Sequence, residues 1–138
     1  MNNFWEIDSN GNFQETINFD KVDEFWKNQV LGIVSNLVPI LANIDYGIYL
    51  RGSIAQNKAN GLYSDIDLII ILKFKNNEII NLIHAEIYTL ETLLNRKIDL
   101  DFISEEHFSK SRKWQFIIKV HSIFINGTLN LKSSNTKL

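Results

Sequence analysis

The chain has no cysteine. Disulfide staples, zinc–thiolate sites and thiol nucleophiles are therefore excluded, and a cytoplasmic location is the expectation. No apolar run approaches the roughly 20 residues that a membrane-spanning helix needs, so no membrane partner is expected. The opening segment MNNFWEIDSNG has no basic stretch ahead of an apolar one, which argues against a secretory leader. Charge of one sign is also missing: 14 Lys and Arg stand against 16 Asp and Glu, a formal net charge of −2. Such a surface makes no broad positive field, so nucleic acid is not an expected partner. Lys110, Arg112 and Lys113 form only a local basic cluster.

What is present is enough for one core. The 138 residues are 45% hydrophobic and 22% charged, which predicts a single folded domain. Residues 1–19 read as an N-terminal appendage with Asn10-Gly11 as a turn, and 127–138 read as a weak tail. Asp20 is placed to cap a helix whose stripe is Val22, Phe25, Trp26, Val30, Ile33, Val34 and Leu37, ending near Pro39. YGIYLR at 46–51 reads as a strand. DLIIIL at 67–72 reads as a buried central strand, and IDLDFI at 98–103 as a third. Between the last two, Ile79, Ile80, Ile83, Ile87, Leu90 and Leu94 form a helical stripe. Ser104 then caps a helix running to about Ile118. This order predicts an α/β (α+β) fold: a small mixed sheet with helices packed mainly on one face.

The chemistry concentrates around that sheet. Asp65 and Asp67 are two apart at the start of the central strand, so both side chains share one face. Two such carboxylates repel each other unless a cation joins them. Mg²⁺ takes a few carboxylate oxygens and fills its octahedron with water and phosphate. IDLDFI supplies Asp99 and Asp101, again on one face, as candidates for a third ligand. Upstream, Gly52-Ser53 ends a strand where a backbone can approach a phosphate closely. His84, His107 and His121 have no metal-ligand spacing, and Trp5, Trp26 and Trp114 read as packing residues. Ser64 reads as a local hydrogen-bonding residue, while Arg51 and Lys58 are placed to face either phosphate or solvent.

RGSIAQNKANGLYSDIDLII resembles the signature of the DNA-polymerase-β-like nucleotidyltransferase superfamily: a strand ending in Gly-Ser, a loop, then Asp-hydrophobic-Asp. Residues 46–125 carry the resemblance, and it is nearest to the minimal nucleotidyltransferases, MNT-type antitoxins that pair with HEPN toxins. It implies that Asp65, Asp67 and Asp101 hold one or two Mg²⁺ ions and perform catalysis. DFISEEHF resembles the family's third-carboxylate segment, and Asp99 is the alternative. It implies that Gly52 and Ser53 bind the phosphates of ATP, and that AMP passes to a hydroxyl, foremost a tyrosine of a HEPN-type toxin. Ala55 matches an Ala-Arg-Gly run of many small members, while Gln56 and Asn57 replace its Arg and Gly. Two other outcomes stay open at this point: a small-molecule nucleotidyltransferase of the aminoglycoside type, and an inactive binding antitoxin. A homo-oligomer is compatible with all three. The short chain leaves no room for a separate acceptor domain, which points to a surface supplied by the partner.

Overall fold

The computed structural model describes residues 5–7, 13–15, 18–56, 58 and 64–133. Two short strands, β1 (Trp5–Ile7) and β2 (Phe13–Glu15), pair antiparallel with each other. The Asn10-Gly11 turn lies outside the described residues.

Helix α1 (Glu24–Leu41) is capped by Asp23, whose side chain accepts from the Phe25 N–H at 2.9 Å. The expected cap, Asp20, lies instead within a single 3-10 turn, Phe19–Lys21, that Asn18 caps. The correction is local: Asn18 and, five residues further on, Asp23 each accept the backbone N–H two residues ahead, so the chain turns twice before the helix starts. Trp26, Val30, Ile33, Val34, Leu37 and Leu41 are buried at helical spacing. Pro39 falls in the last turn, and the Ser35 carbonyl that its missing N–H leaves without a helix bond is on the exposed side, where water reaches it.

The main sheet contains β3 (Tyr46–Arg51), β4 (Ile66–Leu72), β5 (Ile98–Ser104) and β6 (Ser122–Gly127), in the order β5-β4-β3-β6. β3 is antiparallel to β4 and to β6, while β4 and β5 are parallel, so the sheet is mixed. The short helix α2 (Gly52–Ala55) follows β3. Helix α3 (Asn77–Leu94) joins β4 to β5, beginning under the Asn76 side chain and ending at Asn95 in the left-handed region, φ 50°.

Strand alternation sorts the sheet into two faces. Ile48, Leu50, Ile66, Leu68, Ile70 and Leu72 meet α1 and α3 in the larger core. Burial of each such side chain is worth roughly 1.5–3 kcal/mol. Tyr49, Ile69, Ile71 and Ile103 form a smaller core on the other face, with Phe108 of α4 (Glu105–Lys110) and Ile118 of α5 (Arg112–Val120).

Two further features depart from the expected order. The single helix after Ser104 is two helices, broken at Ser111, whose hydroxyl accepts from the Trp114 N–H. Buried Gln115 donates to the carbonyls of Phe108 and Ser109, which end α4. β6 occupies a stretch, between the expected end of the helix near Ile118 and the tail at 127–138, for which the sequence predicts no element. Beyond β6, Leu129 and Leu131 pack on the smaller core, and the Tyr49 hydroxyl donates to the Leu129 carbonyl. Among the described residues, no helix is long and apolar enough to cross a membrane.

Candidate active site

Four strands end or begin together at one end of the sheet, and their register decides which side chains meet. Arg51 lies opposite Asp67, Asp67 lies beside Asp99, and Arg51 also faces Ser122. One rung therefore reads Asp99–Asp67–Arg51–Ser122 across four strands. The next rung on this face reads Asp101–Ile69–Tyr49–Phe124. Asp65 immediately precedes β4. The structure thus brings Asp99, rather than Asp101, directly to Asp67. Asp101 is exposed and sits one rung along, beside an isoleucine.

The electrostatics follow from that crowding. The Asp67 carboxyl is pushed up to about 6 from an ordinary 3.8. Burial is the largest cause, followed by its hydrogen bond to Asp99 and the Asp99 charge. Asp65 adds repulsion, and the Arg51 guanidinium pulls the other way. A carboxyl with this environment favours either a proton or a cation. Asp99 also lies 3.4 Å from the Lys97 ammonium, so its own side chain is compensated on the outer side.

Gly52 is shaped by the same contact. Its φ is +83°, and a Cβ there would lie 2.2 Å from Oδ2 and 3.1 Å from Cγ of Asp67. Only glycine permits the chain to turn from β3 into α2 while the Asp67 carboxyl occupies that space. Ser53 follows in α2, and Ile54 and Ala55 anchor the turn in the larger core. Gly52 is thus against the carboxylate rung, with Ser53 the next residue of α2. Lys58 is exposed; most of the loop that follows lies outside the described residues. Ser64 is buried, and its carbonyl accepts from Arg96 Nη1 at 3.3 Å.

The donor set suits a hard divalent cation. Among the described residues, no three His, Asp or Glu side chains form a ready metal cage. Asp67 and Asp99 adjoin, with the Asp65 charge felt at Asp67, and Mg²⁺ bound by so few carboxylates would take its remaining ligands from phosphates and water. None of the three histidines joins them. His84 packs edge-on to Phe102, and His107 is exposed. His121 lies beside Phe116. Its imidazole is pushed down by burial first and then by the charges of Arg51 and Lys132.

The register of β4 and β5 is what sets Asp99 beside Asp67. Asp67 and Asp99 each follow the first residue of a parallel strand, Ile66 and Ile98, and those first residues are themselves in register. Arg51 is the other member of the rung that composition does not single out.

A chain in a solved structure of the tri-AMPylated Shewanella oneidensis HEPN toxin in complex with MNT antitoxin is 18% identical over 74% of this chain and 72% of that one, with a TM-score of 0.43. A chain of a toxin–antitoxin complex with AMP-PNP is 18% identical over 76% of each, with a TM-score of 0.44. No curated protein matches. The model of the nucleotidyltransferase domain family matches residues 27–122, a span that runs from α1 to the first residue of β6 and holds the whole carboxylate rung, and the chain belongs to that family.

Proposed function

We propose that the protein transfers AMP from ATP to an acceptor hydroxyl, with Mg²⁺ held by Asp65, Asp67 and Asp99. The observation that carries this is the Asp99–Asp67–Arg51 rung abutting Gly52, where anionic and cationic groups adjoin a backbone open to phosphate. A bound Mg²⁺ would supply charge neutralisation on the phosphates and on the departing pyrophosphate. Gly52 and Ser53 hold the polyphosphate, and Arg51 offsets its charge from the β3 side. The acceptor oxygen forms a bond to the α-phosphorus as the bond from that phosphorus to the bridging oxygen of pyrophosphate breaks. The hydroxyl proton passes to a carboxylate of the rung, with Asp99 nearest the open side of the sheet.

The acceptor in this proposal is a tyrosine of a HEPN-type toxin, and the chain acts as that toxin's antitoxin. The resemblance at Gly52-Ser53 and Asp65-Ile66-Asp67 supports this, together with a carboxylate rung that reaches an edge strand. Incubation with α-labelled ATP, Mg²⁺ and the co-expressed partner tests it. Label is expected on the partner, and Asp67→Asn is expected to reduce it by about a hundredfold or more. Asp99→Asn should match that loss, while Asp101→Asn should cost far less. The opposite order would return the third ligand to Asp101. Unchanged labelling in Asp67→Asn would sink the reaction.

A further inference from the structure

We infer that the outer edge of β5 receives the acceptor polypeptide as an added, extended strand. This rests on the proposed transfer to a protein hydroxyl.

Two hydrogen bonds set the phase of the ladder. The Ile66 N–H donates to the Lys97 carbonyl at 3.1 Å, and the Ile98 N–H donates outward to Glu91 Oε2 at 2.9 Å. In a parallel pair, bonding to the neighbour alternates residue by residue. Lys97, Asp99, Asp101 and Ile103 therefore direct their backbone groups at β4, and Ile98, Leu100 and Phe102 direct theirs outward. Glu91 occupies the first outward N–H. Leu100 and Phe102 have no strand beyond them among the described residues.

Sheet edges are usually blunted by proline, a bulge, brevity, charged side chains or a covering helix or loop; β5 bears charge at Asp99 and Asp101, with Lys97 just ahead of it, so an occupant of this edge must match that charge. β5 has no proline within it and keeps unbroken register with β4 from Ile98 to Ser104. The opposite edge strand, β6, pairs with β3 through a register shift at Ile48/Tyr49. Among the described residues, the regular edge with no strand beyond it is thus the one that carries Asp99. Alternating N–H and C=O groups at strand spacing are complementary to another peptide backbone and to little else.

The chemistry beside the edge selects the occupant. Alternate residues of an added strand would lie on the face of Asp99 and Asp101; the others would face α3, where Tyr88 is 73% exposed and His84 packs on Phe102. Two strand spacings, roughly 10 Å, would separate the added backbone from that of β4 and Asp67. A serine or threonine side chain is too short for that span, whereas a tyrosine phenol reaches furthest among hydroxyl side chains. Glu91, Asp99 and Asp101 line the edge with Lys97 beside them, so lysines or arginines flanking the tyrosine suit it.

Residue-resolved amide exchange on the full chain tests this, with the synthetic peptide Lys-Thr-Lys-Val-Tyr-Val-Lys-Thr-Lys as probe. On saturation with peptide, the Leu100 and Phe102 amides should slow by about tenfold or more, while those of Asp99 and Asp101, already bonded to β4, change little. No slowing at Leu100 and Phe102 overturns the inference. So does protection of these two amides in the free protein that grows with its concentration, because a second copy would then occupy the edge. Labelled AMP on the peptide is scored separately. Transfer without alternating protection overturns the docking edge and keeps the reaction; alternating protection without transfer keeps the edge and removes the reaction. Leu100→Pro deletes an outward N–H without touching the β4 ladder, and should raise the peptide KM by about tenfold. If that variant does not fold, the exchange pattern of the unaltered protein still decides.

Discussion

The two faces of the main sheet are made by the same strands and do opposite things. On one, β4 contributes Ile66, Leu68, Ile70 and Leu72, none more than 2% exposed, to the core beneath α1 and α3. On the other, the same strand contributes Asp67, then Ile69 and Ile71. A period of two lets one strand be a dry structural element on one side and a charged site on the other. The polar rung lies at the end of the second face, where β4 and β5 begin and β3 ends, and only the rungs behind it are packed. A raised carboxyl such as Asp67 opposes folding, and the aliphatic face opposite is what allows it to persist.

The sharpest break of this comparison uses neighbouring residues. Leu68→Ala should lose about 2–5 kcal/mol by cavity formation beneath α1 and α3. Asp67→Asn should leave stability equal or higher near pH 7 in chelator, while eliminating AMP transfer. Urea denaturation of both variants, beside a transfer assay, reads the two effects. A large stability loss in Asp67→Asn would mean that the carboxyl is a structural group.

Gly52→Ala comes next. The positive φ alone costs about 1–3 kcal/mol for a residue with a Cβ. The new Cβ must also displace the Asp67 carboxyl, so transfer should fall by about a hundredfold. Gly32→Ala is the internal control: nothing lies within 4 Å of its Cβ position on exposed helix, and about 0.4–1 kcal/mol of stabilisation is expected. Equal transfer in the Gly52 and Gly32 variants would dissociate Gly52 from the site.

A smaller effect comes from the titration of Asp67. Its carboxyl holds a proton more tightly in the folded chain than in the unfolded one, with about 6 against 3.8. The stability this contributes is fully present below the ordinary carboxylate range and is lost as pH rises through about 6. After allowance for partial solvent screening, about 1–2 kcal/mol should disappear between pH 4 and pH 7 in chelator. Mg²⁺ should restore part of it above pH 6, and Asp67→Asn should flatten this part of the profile. A chelated profile that rises over the same range through this residue would reverse the sign of the argument.

The residues carried much of this in their order. YGIYLR, IDLIIIL and IDLDFIS are strands because short apolar-rich runs of this length have no helical stripe, and Ser104 caps as its side chain dictates. β6 was hidden because FIIKVHSIFI is a mostly apolar stretch with no glycine or proline to mark its change from helix to strand at Ser122, which pairing with β3 decides. The choice between Asp99 and Asp101 was hidden for a related reason. Both lie on one face of one strand, and only the β4–β5 register says which of them meets Asp67. Strand identity is local information, whereas register between strands is set by the packing of the whole.

Tyr49 gives the mildest test of the comparison, because it belongs to the second face but is not charged. It is fully buried, and its hydroxyl, pushed up to about 12 by burial, stays protonated. That hydroxyl donates to the Leu129 carbonyl and accepts from the Leu131 N–H at 2.9 Å, while the ring meets Phe124 edge-on at 5.4 Å. Tyr49→Phe keeps the ring contact and removes both hydrogen bonds, so the cost should be about 1–2 kcal/mol. The loss is confined to the segment after β6: the Leu131 amide should exchange faster, and amides of α1 and α3 should not. Lys132, which donates to the Ile118 and Lys119 carbonyls at 3.0 and 3.3 Å, holds the same segment independently and limits the effect. If Tyr49→Phe instead loosened α1 and α3, the two faces would be one cooperative unit, and the separation between the structural side and the chemical side would fail.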